Sequence, residues 1–194
     1  MNLAPFAQCC LSLPTWLLQA EREVPILAGA TARMRWVLAL ARRNSQTTAT
    51  ETAGGPFAAA VFDADSGALI CAGVNRVIPS CCSAAHAEMV ALMRAQQRLG
   101  QHRLDLLPPR RFELVSSTEP CAMCLGALPW AGIHRLLCGA RDEDARAIGF
   151  DEGDKPDRWQ DKLQQRGIAV DTDLCRSEAI AVLQDYARQQ GQLY

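Results

Sequence analysis

The chain has no surplus of positive charge. Its 20 Lys and Arg stand against 21 Asp and Glu, a formal net charge of −1. Affinity for phosphate backbones needs such a surplus, so nucleic acid is not expected as a partner, although Arg110 and Arg111 make a local basic pair. A basic export leader is missing too. The opening "MNLAPFAQCCLSLPTWLL" lacks a positive start and is broken by Pro5 and Pro14, which also makes it too interrupted to cross a bilayer. A cytoplasmic protein with no membrane partner is the expectation. Cysteine is plentiful, at nine, but the odd total and reducing compartment argue against a disulfide framework. Cys71 and Cys138 lie in apolar runs and read as buried small hydrophobes. Cys9, Cys10, Cys81, Cys82 and Cys175 show no partner spacing. Repeats, low-complexity tracts and breaks in composition are also lacking, so the 194 residues read as one domain with a real core.

Strand and helix patterns alternate along the chain. Apolar residues at helical spacing in "TARMRWVLALARRN" predict a helix over 31–44, with Arg gathered where the helix dipole favours cations. A polar linker follows and ends at Gly54-Gly55-Pro56. "PFAAAVFD" and "ALICAGV" predict two strands joined by the turn "ADSG". "AAHAEMVALMRAQQRLG" predicts a helix whose buried stripe is Met89, Val90, Leu92 and Met93, ended by Gly100. Further strands are expected at "FELVSS", "HRLLCGA" and "IAVDT", pairing in parallel because helices separate them. The intervening helices are "EPCAMCLGALPWAG", with Pro120 in its first turn, a polar helix after an acidic loop, and "DLCRSEAIAVLQDYARQQ". Such alternation indicates an α/β layer sandwich. Residues 1–50 are expected to form an N-terminal helical extension packed on a domain spanning 51–194.

One constellation carries chemistry. Cys121 and Cys124 are three apart near a helix start, where unpaired backbone N–H groups stabilise thiolates, the form that binds metal. The chain offers neither the context of a thioredoxin-like redox pair nor the second tight Cys/His pair of a structural zinc site. It does offer "HAE": His86 and Glu88, also at a helix start. His86, Cys121 and Cys124 make three ligands and leave a tetrahedral Zn²⁺, one per chain, with an open position for water. Glu88 lies close enough to handle that water's protons.

This H-x-E…P-C-x-x-C pattern resembles the cytidine-deaminase-like superfamily of zinc nucleobase deaminases. The resemblance runs from "GGPFAAAVF" to "CGARD" and, less closely, to the C-terminus. It implies a three-layer α/β/α sandwich with a central five-stranded mixed sheet, a homodimer, zinc held by His86, Cys121 and Cys124, and proton transfer by Glu88. "EPCAMCLGAL…GARD" looks like tRNA adenosine deaminases, whereas "ARAIGFDEG" is similar to bacterial guanine deaminases. In the latter an acid after "GFD" closes over the substrate; here it is Glu152, where that group carries Asp. The resemblance also implies that Asn75 bonds the base, that Ala87, Phe57 and Trp130 lie near it, and that Tyr194, the end of "QLY", approaches the site. The implied activity is hydrolytic deamination of guanine, a small purine base, to xanthine and ammonia, with Glu88 and Glu152 as the two acids. Alternatives are another amino-heterocycle such as the aminotriazine ammeline, tRNA adenosine, or a non-catalytic zinc-stabilised binding module.

Overall fold

In the computed structural model, residues 10–46 and 53–194 are described. Cys9 and residues 47–52 of the 44–56 linker lie outside that set. Five strands form one mixed sheet in the order β2-β1-β3-β4-β5. They are β1 (Ala58–Asp63), β2 (Leu69–Val74), β3 (Phe112–Thr118), β4 (Arg135–Ala140) and β5 (Ala169–Asp171). β1 pairs antiparallel with β2 and β3, while β3, β4 and β5 run parallel. The strands after the hairpin are therefore parallel among themselves, as their helical connections require.

The central strands are buried along nearly their whole length because both sheet faces are covered, and β1 and β4 are accordingly almost all apolar. Along β1, Ala58, Ala60 and Phe62 point into one hydrophobic core, and Ala59 and Val61 into a second. β4 divides likewise, with Leu137 on one side and Leu136 and Cys138 on the other. α2 (Ala30–Asn44) and α7 (Arg176–Arg188) cover the first face. α3 (Ala87–Leu99), α4 (Ala122–Ala131) and α6 (Trp159–Gln165) cover the second. α5 (Asp142–Arg146) packs beside α7. The result is a three-layer α/β/α sandwich. Within 1–50, the described helices α1 (Thr15–Glu23) and α2 add Trp16, Leu17, Met34, Val37 and Leu38 to the first core.

α3 departs from the expected stripe. Its buried residues include Ala87, Val90, Ala91, Leu92 and Ala95, while Met89 is half-buried and Met93 is exposed. The cause is close approach to the sheet. A Cβ on Gly73 of β2 would overlap the Ala87 carbonyl and the Ala91 amide. Only small side chains fit such a contact, so the methionines turn away from it. Pro120 also differs from expectation: Cys121 is the N-cap of α4, and Pro120 lies before the helix rather than in its first turn.

The outer edge of β2 faces side chains instead of a sixth strand. The Glu21 carboxylate of α1 accepts the Ala72 N–H at 2.6 Å and pairs with Arg94 of α3. Arg94 donates to the Ala72 carbonyl, and Arg98 donates to the Ile70 carbonyl at 2.9 Å.

Candidate active site

Two helix starts converge at the end of the sheet. His86 caps α3 in extended conformation, with Glu88 two residues on, and Cys121 caps α4, with Cys124 in its first turn. Orphan N–H groups and the positive ends of both helix dipoles therefore meet at one place, which favours thiolate and carboxylate charge there. One ligand atom each from His86, Cys121 and Cys124 lies within 4.8 Å of the others. Cys121 Sγ stands 3.4 Å from His86 Nδ1. Glu88 reaches the same centre: Cys124 Sγ lies 3.6 Å from its Oε2, and Ser116 Oγ of β3 donates to its Oε1 at 3.3 Å. One nitrogen, two sulfurs and a carboxylate set just behind them make a donor set that fits Zn²⁺ with a fourth position left open.

The electrostatics agree. A hydrogen bond from Cys124 outweighs burial and, with His86, lowers the Cys121 thiol to about 4. Cys124 is raised in turn because its proton is shared with that thiolate; a bound cation would take the proton's place. Burial opposes charge on His86, yet its hydrogen bond to Cys121 and the charge of Glu88 raise its pKa. Glu88 is raised by burial and by Cys121. Glu152 is pushed up to about 8, chiefly by burial and then by Glu88 and Cys121. A metal ion would offset those two charges but leave the burial in place.

All of these residues but Cys124 line a cavity of about 150 Å³. Phe57, Asn75, His86, Glu88, Cys121, Glu152 and Tyr194, all singled out in the sequence, border it. Asn75 is buried, and its Oδ1 accepts the Val77 N–H at 3.2 Å and the Gly55 N–H at 3.4 Å. That fixes the amide's orientation and leaves its NH₂ as the group available to the cavity. Tyr194 stands edge-on to His86 and Phe150, and its hydroxyl is buried without a hydrogen bond among the described residues. Gly55 makes room for it, since a Cβ there would collide with the hydroxyl.

Two expected residues are placed elsewhere. Trp130 is 79% exposed on α4 and borders a different hollow with Arg103, Asp105 and Arg166. Its position at the far end of a ten-residue helix that Cys121 caps at the start carries it away from the ligands. The Ala87 methyl packs into the core under α3, although its N–H, at the first helical position, has no intrahelical partner. Arg110 pairs with Asp63 at 3.1 Å and stacks on Phe112, outside the cavity lining.

Several further residues shape the site, although the sequence alone assigned them no role in it. Asn44, at the end of α2, donates to the Gly55 carbonyl at 2.8 Å and the Asn75 carbonyl at 2.9 Å, tying together two segments of the cavity wall. Phe150 packs on Phe57 at 4.8 Å between ring centroids. Glu119 lines the cavity beside Thr118 and Cys121. Glu119 adjoins the PCxxC stretch and Phe150 is the Phe of GFD itself, so both lie where a motif could have marked them.

Comparison with known proteins agrees with this geometry. The chain is similar to the guanine deaminase of Bacillus subtilis, 40% identical over 99 residues, covering 51% of this chain and 59% of that protein's length. The guanine deaminase of Nitrosomonas europaea superposes with a TM-score of 0.86 at 49% identity, covering 97% of this chain and 98% of that one. The structure of NE0047 in complex with 2,6-diaminopurine superposes with a TM-score of 0.89 at 49% identity, covering 96% of each chain. The sequence profile of the cytidine and deoxycytidylate deaminase zinc-binding region matches residues 32–140. The chain belongs to that deaminase family.

Proposed function

We propose that this protein is a zinc-dependent aminohydrolase that converts guanine and water to xanthine and ammonia. The observation that carries the reading is the pair of buried carboxylates, Glu88 and Glu152, on the same small cavity as the His86–Cys121–Cys124 cluster. Bound at those three residues, Zn²⁺ would supply a water acidic enough to ionise near neutral pH. Glu88 takes the water's proton and passes it to the ring nitrogen beside C2. Glu152, whose burial favours the protonated carboxyl, gives a proton to the departing amino group and regains one from the C2 hydroxyl as the carbonyl forms. The Asn75 amide donates to an acceptor edge of the base. Phe57, Phe150 and Tyr194 supply apolar walls and exclude water.

The lining favours a free base over tRNA. Glu88, Glu119, Asp151 and Glu152 border the cavity, and no Lys or Arg does. Phosphates at such a mouth would find no cationic side chain among its described lining residues to pair with. Its volume, about 150 Å³, suits a small heteroaromatic ring system rather than a nucleotide. The match to a complex with 2,6-diaminopurine, which carries an amino group at the position attacked in guanine, favours purine over aminotriazine.

A homodimer is part of the reading. α4 has no polar side chain other than Cys124, yet Met123 and Trp130 are exposed on it. A helix apolar on every side is ordinarily buried, and a second copy is the proposed cover. No helix among the described residues is long and apolar enough to cross a membrane. The thiolate ligands suit the reducing cytoplasm, where we place the protein.

The test is ammonia release from guanine by the zinc-loaded protein, with Glu88→Gln as control. Glu88→Gln should keep its zinc and fold and lose at least about a thousandfold in kcat, the upper part of the range for a positioned acid–base group. Near-normal turnover by that variant would remove Glu88 from its role. No ammonia from the intact zinc-loaded parent would exclude guanine.

A further inference from the structure

Glu152 lies on an irregular segment, residues 150–158, between α5 and α6. No ladder of helix or strand hydrogen bonds holds it. A carboxyl group that must meet a leaving amino group has to be placed to well within 1 Å. The segment's backbone is tied to its surroundings at three residues, the first being Phe150, whose N–H donates to the Ala145 carbonyl at 3.2 Å. The Glu152 carbonyl accepts the Ala122 N–H at 2.9 Å, and Arg146 Nη2 donates to the Gly153 carbonyl at 2.7 Å. Just beyond Gly153 the backbone bond is a local one, from the Lys155 N–H to the Gly153 carbonyl at 3.2 Å, which ties the segment only to itself.

Beyond Gly153 the segment is held to the rest of the domain by a buried ionic knot. Lys155 Nζ lies 3.2 Å from Glu119 Oε2 and 3.2 Å from Asp142 Oδ1, and over the Trp159 ring at 4.9 Å from its centroid. The Lys155 and Glu119 side chains are each 8% exposed. Glu119 Oε2 also accepts the Asp142 N–H at 3.2 Å. Glu119 is two residues before Cys121, at the end of β3, and Asp142 begins α5 after β4. Lys155 therefore joins the Glu152 segment to the two strand ends that frame the metal cluster. It does not itself border the cavity, whereas Glu119 does. A lysine drawn out of water by two carboxylates is costly to hold unless its position matters.

We infer that Lys155 is a positioning residue: through Glu119 and Asp142 it sets Glu152 against the substrate's leaving group. The inference rests on the proposed role of Glu152 in guanine deamination. A lysine that merely stabilises the fold would affect binding, folding and chemistry alike. One that acts through Glu152 affects kcat and loses its effect when the Glu152 carboxyl is gone.

The experiment is a double-mutant cycle on the full-length zinc-loaded protein, with Lys155→Met, Glu152→Gln and the pair, each measured for zinc content, kcat and KM with guanine. Lys155→Met should lower kcat about 10–100-fold, the effect of misplacing a reacting group by about 1 Å, with KM within about threefold and zinc unchanged. The double variant should be within about twofold of Glu152→Gln alone, because coupled sites are not additive. Lys155→Arg, which keeps the charge, should recover much of the lost rate. If Lys155→Met does not fold, Asp142→Asn loosens the knot from its other end and enters the same cycle. Effects that multiply, a Lys155→Met kcat within twofold of the parent, or a loss confined to KM would overturn the inference while leaving Glu152 its role. A Glu152→Gln variant as fast as the parent, or a parent inactive on guanine, would overturn both.

Discussion

Replacing Asn44 with alanine tests the idea that a strut far from the chemistry shapes the cavity. Asn44 is 3% exposed, and its Nδ2 serves two buried carbonyls, those of Gly55 and Asn75. Space around it is tight: a Cβ on Gly54 would overlap both the Asn75 carbonyl and the Asn44 amide. Water therefore has no ready route to either carbonyl once the amide is gone. Each orphaned carbonyl costs about 1.5 kcal/mol, so Asn44→Ala should lose about 3 kcal/mol in all. For a chain of this size that corresponds to a drop of roughly 6–12 °C in Tm. Thermal and urea unfolding of the zinc-loaded protein measure it. The loss should carry a functional mark, since the Asn75 side chain accepts the Gly55 and Val77 N–H groups and moves with that wall. KM for guanine should rise about tenfold, the worth of one mispositioned hydrogen bond, with kcat changing less. A stability loss under about 1 kcal/mol would show that the carbonyls find other partners, and an unchanged KM would show that Asn75 does not depend on the strut.

Gly55→Ala places a methyl against the Tyr194 hydroxyl and should displace the C-terminal residues. Faster trimming by carboxypeptidase and a raised KM are expected, and tail protection equal to the parent's would refute the packing. Chelation should abolish turnover and expose an ordered set of thiols: Cys121, lowered to about 4, should alkylate at pH 7 well before Cys71, which burial pushes up to about 12. Peptide mapping after brief iodoacetamide treatment reads the order, and Cys71 modified first would contradict it. The Arg176 hydrogen bond lowers the Asp144 pKa, so the unfolded chain binds more protons in acid. That contribution is complete above the ordinary carboxylate range and is lost as pH falls through it towards the lowered folded value. Asp144→Asn should flatten this part of the stability–pH curve, and a variant with the parent's acid slope would refute the assignment.

The ligand cluster and the layer order were legible because both rest on local pattern. His86, Glu88, Cys121 and Cys124 fall at helix starts that hydrophobic periodicity reveals, and packing on two faces leaves β1 and β4 as almost unbroken apolar runs. Reading failed where a contact spans the chain. Nothing near Met93 tells that α3 approaches the sheet closely enough to admit alanine and turn methionine outward. Asn44 stands in a polar stretch and becomes a strut only because residues 55 and 75 come to it. Lys155 lies in an acidic run that reads as a solvated loop until Glu119, 36 positions away, closes over it. Trp130 shows the converse: a motif-like aromatic sits on the wrong turn of its helix to reach the cavity.

The plugged margin of β2 bears on self-association. An open strand margin invites strands from other molecules, and the ordinary outcome is aggregation. The two margins of this sheet avoid it differently. β5 is only three residues long and offers too little backbone to template anything. β2 is twice that length, at six residues, and its bonding groups at Ala72 and Ile70 are occupied by Glu21, Arg94 and Arg98. A carboxylate and two guanidinium groups thus imitate a neighbouring strand while presenting charge outward. Glu21 comes from α1, a helix with no residue in the cavity, so α1 guards the solubility of the sheet independently of the chemistry at its other end.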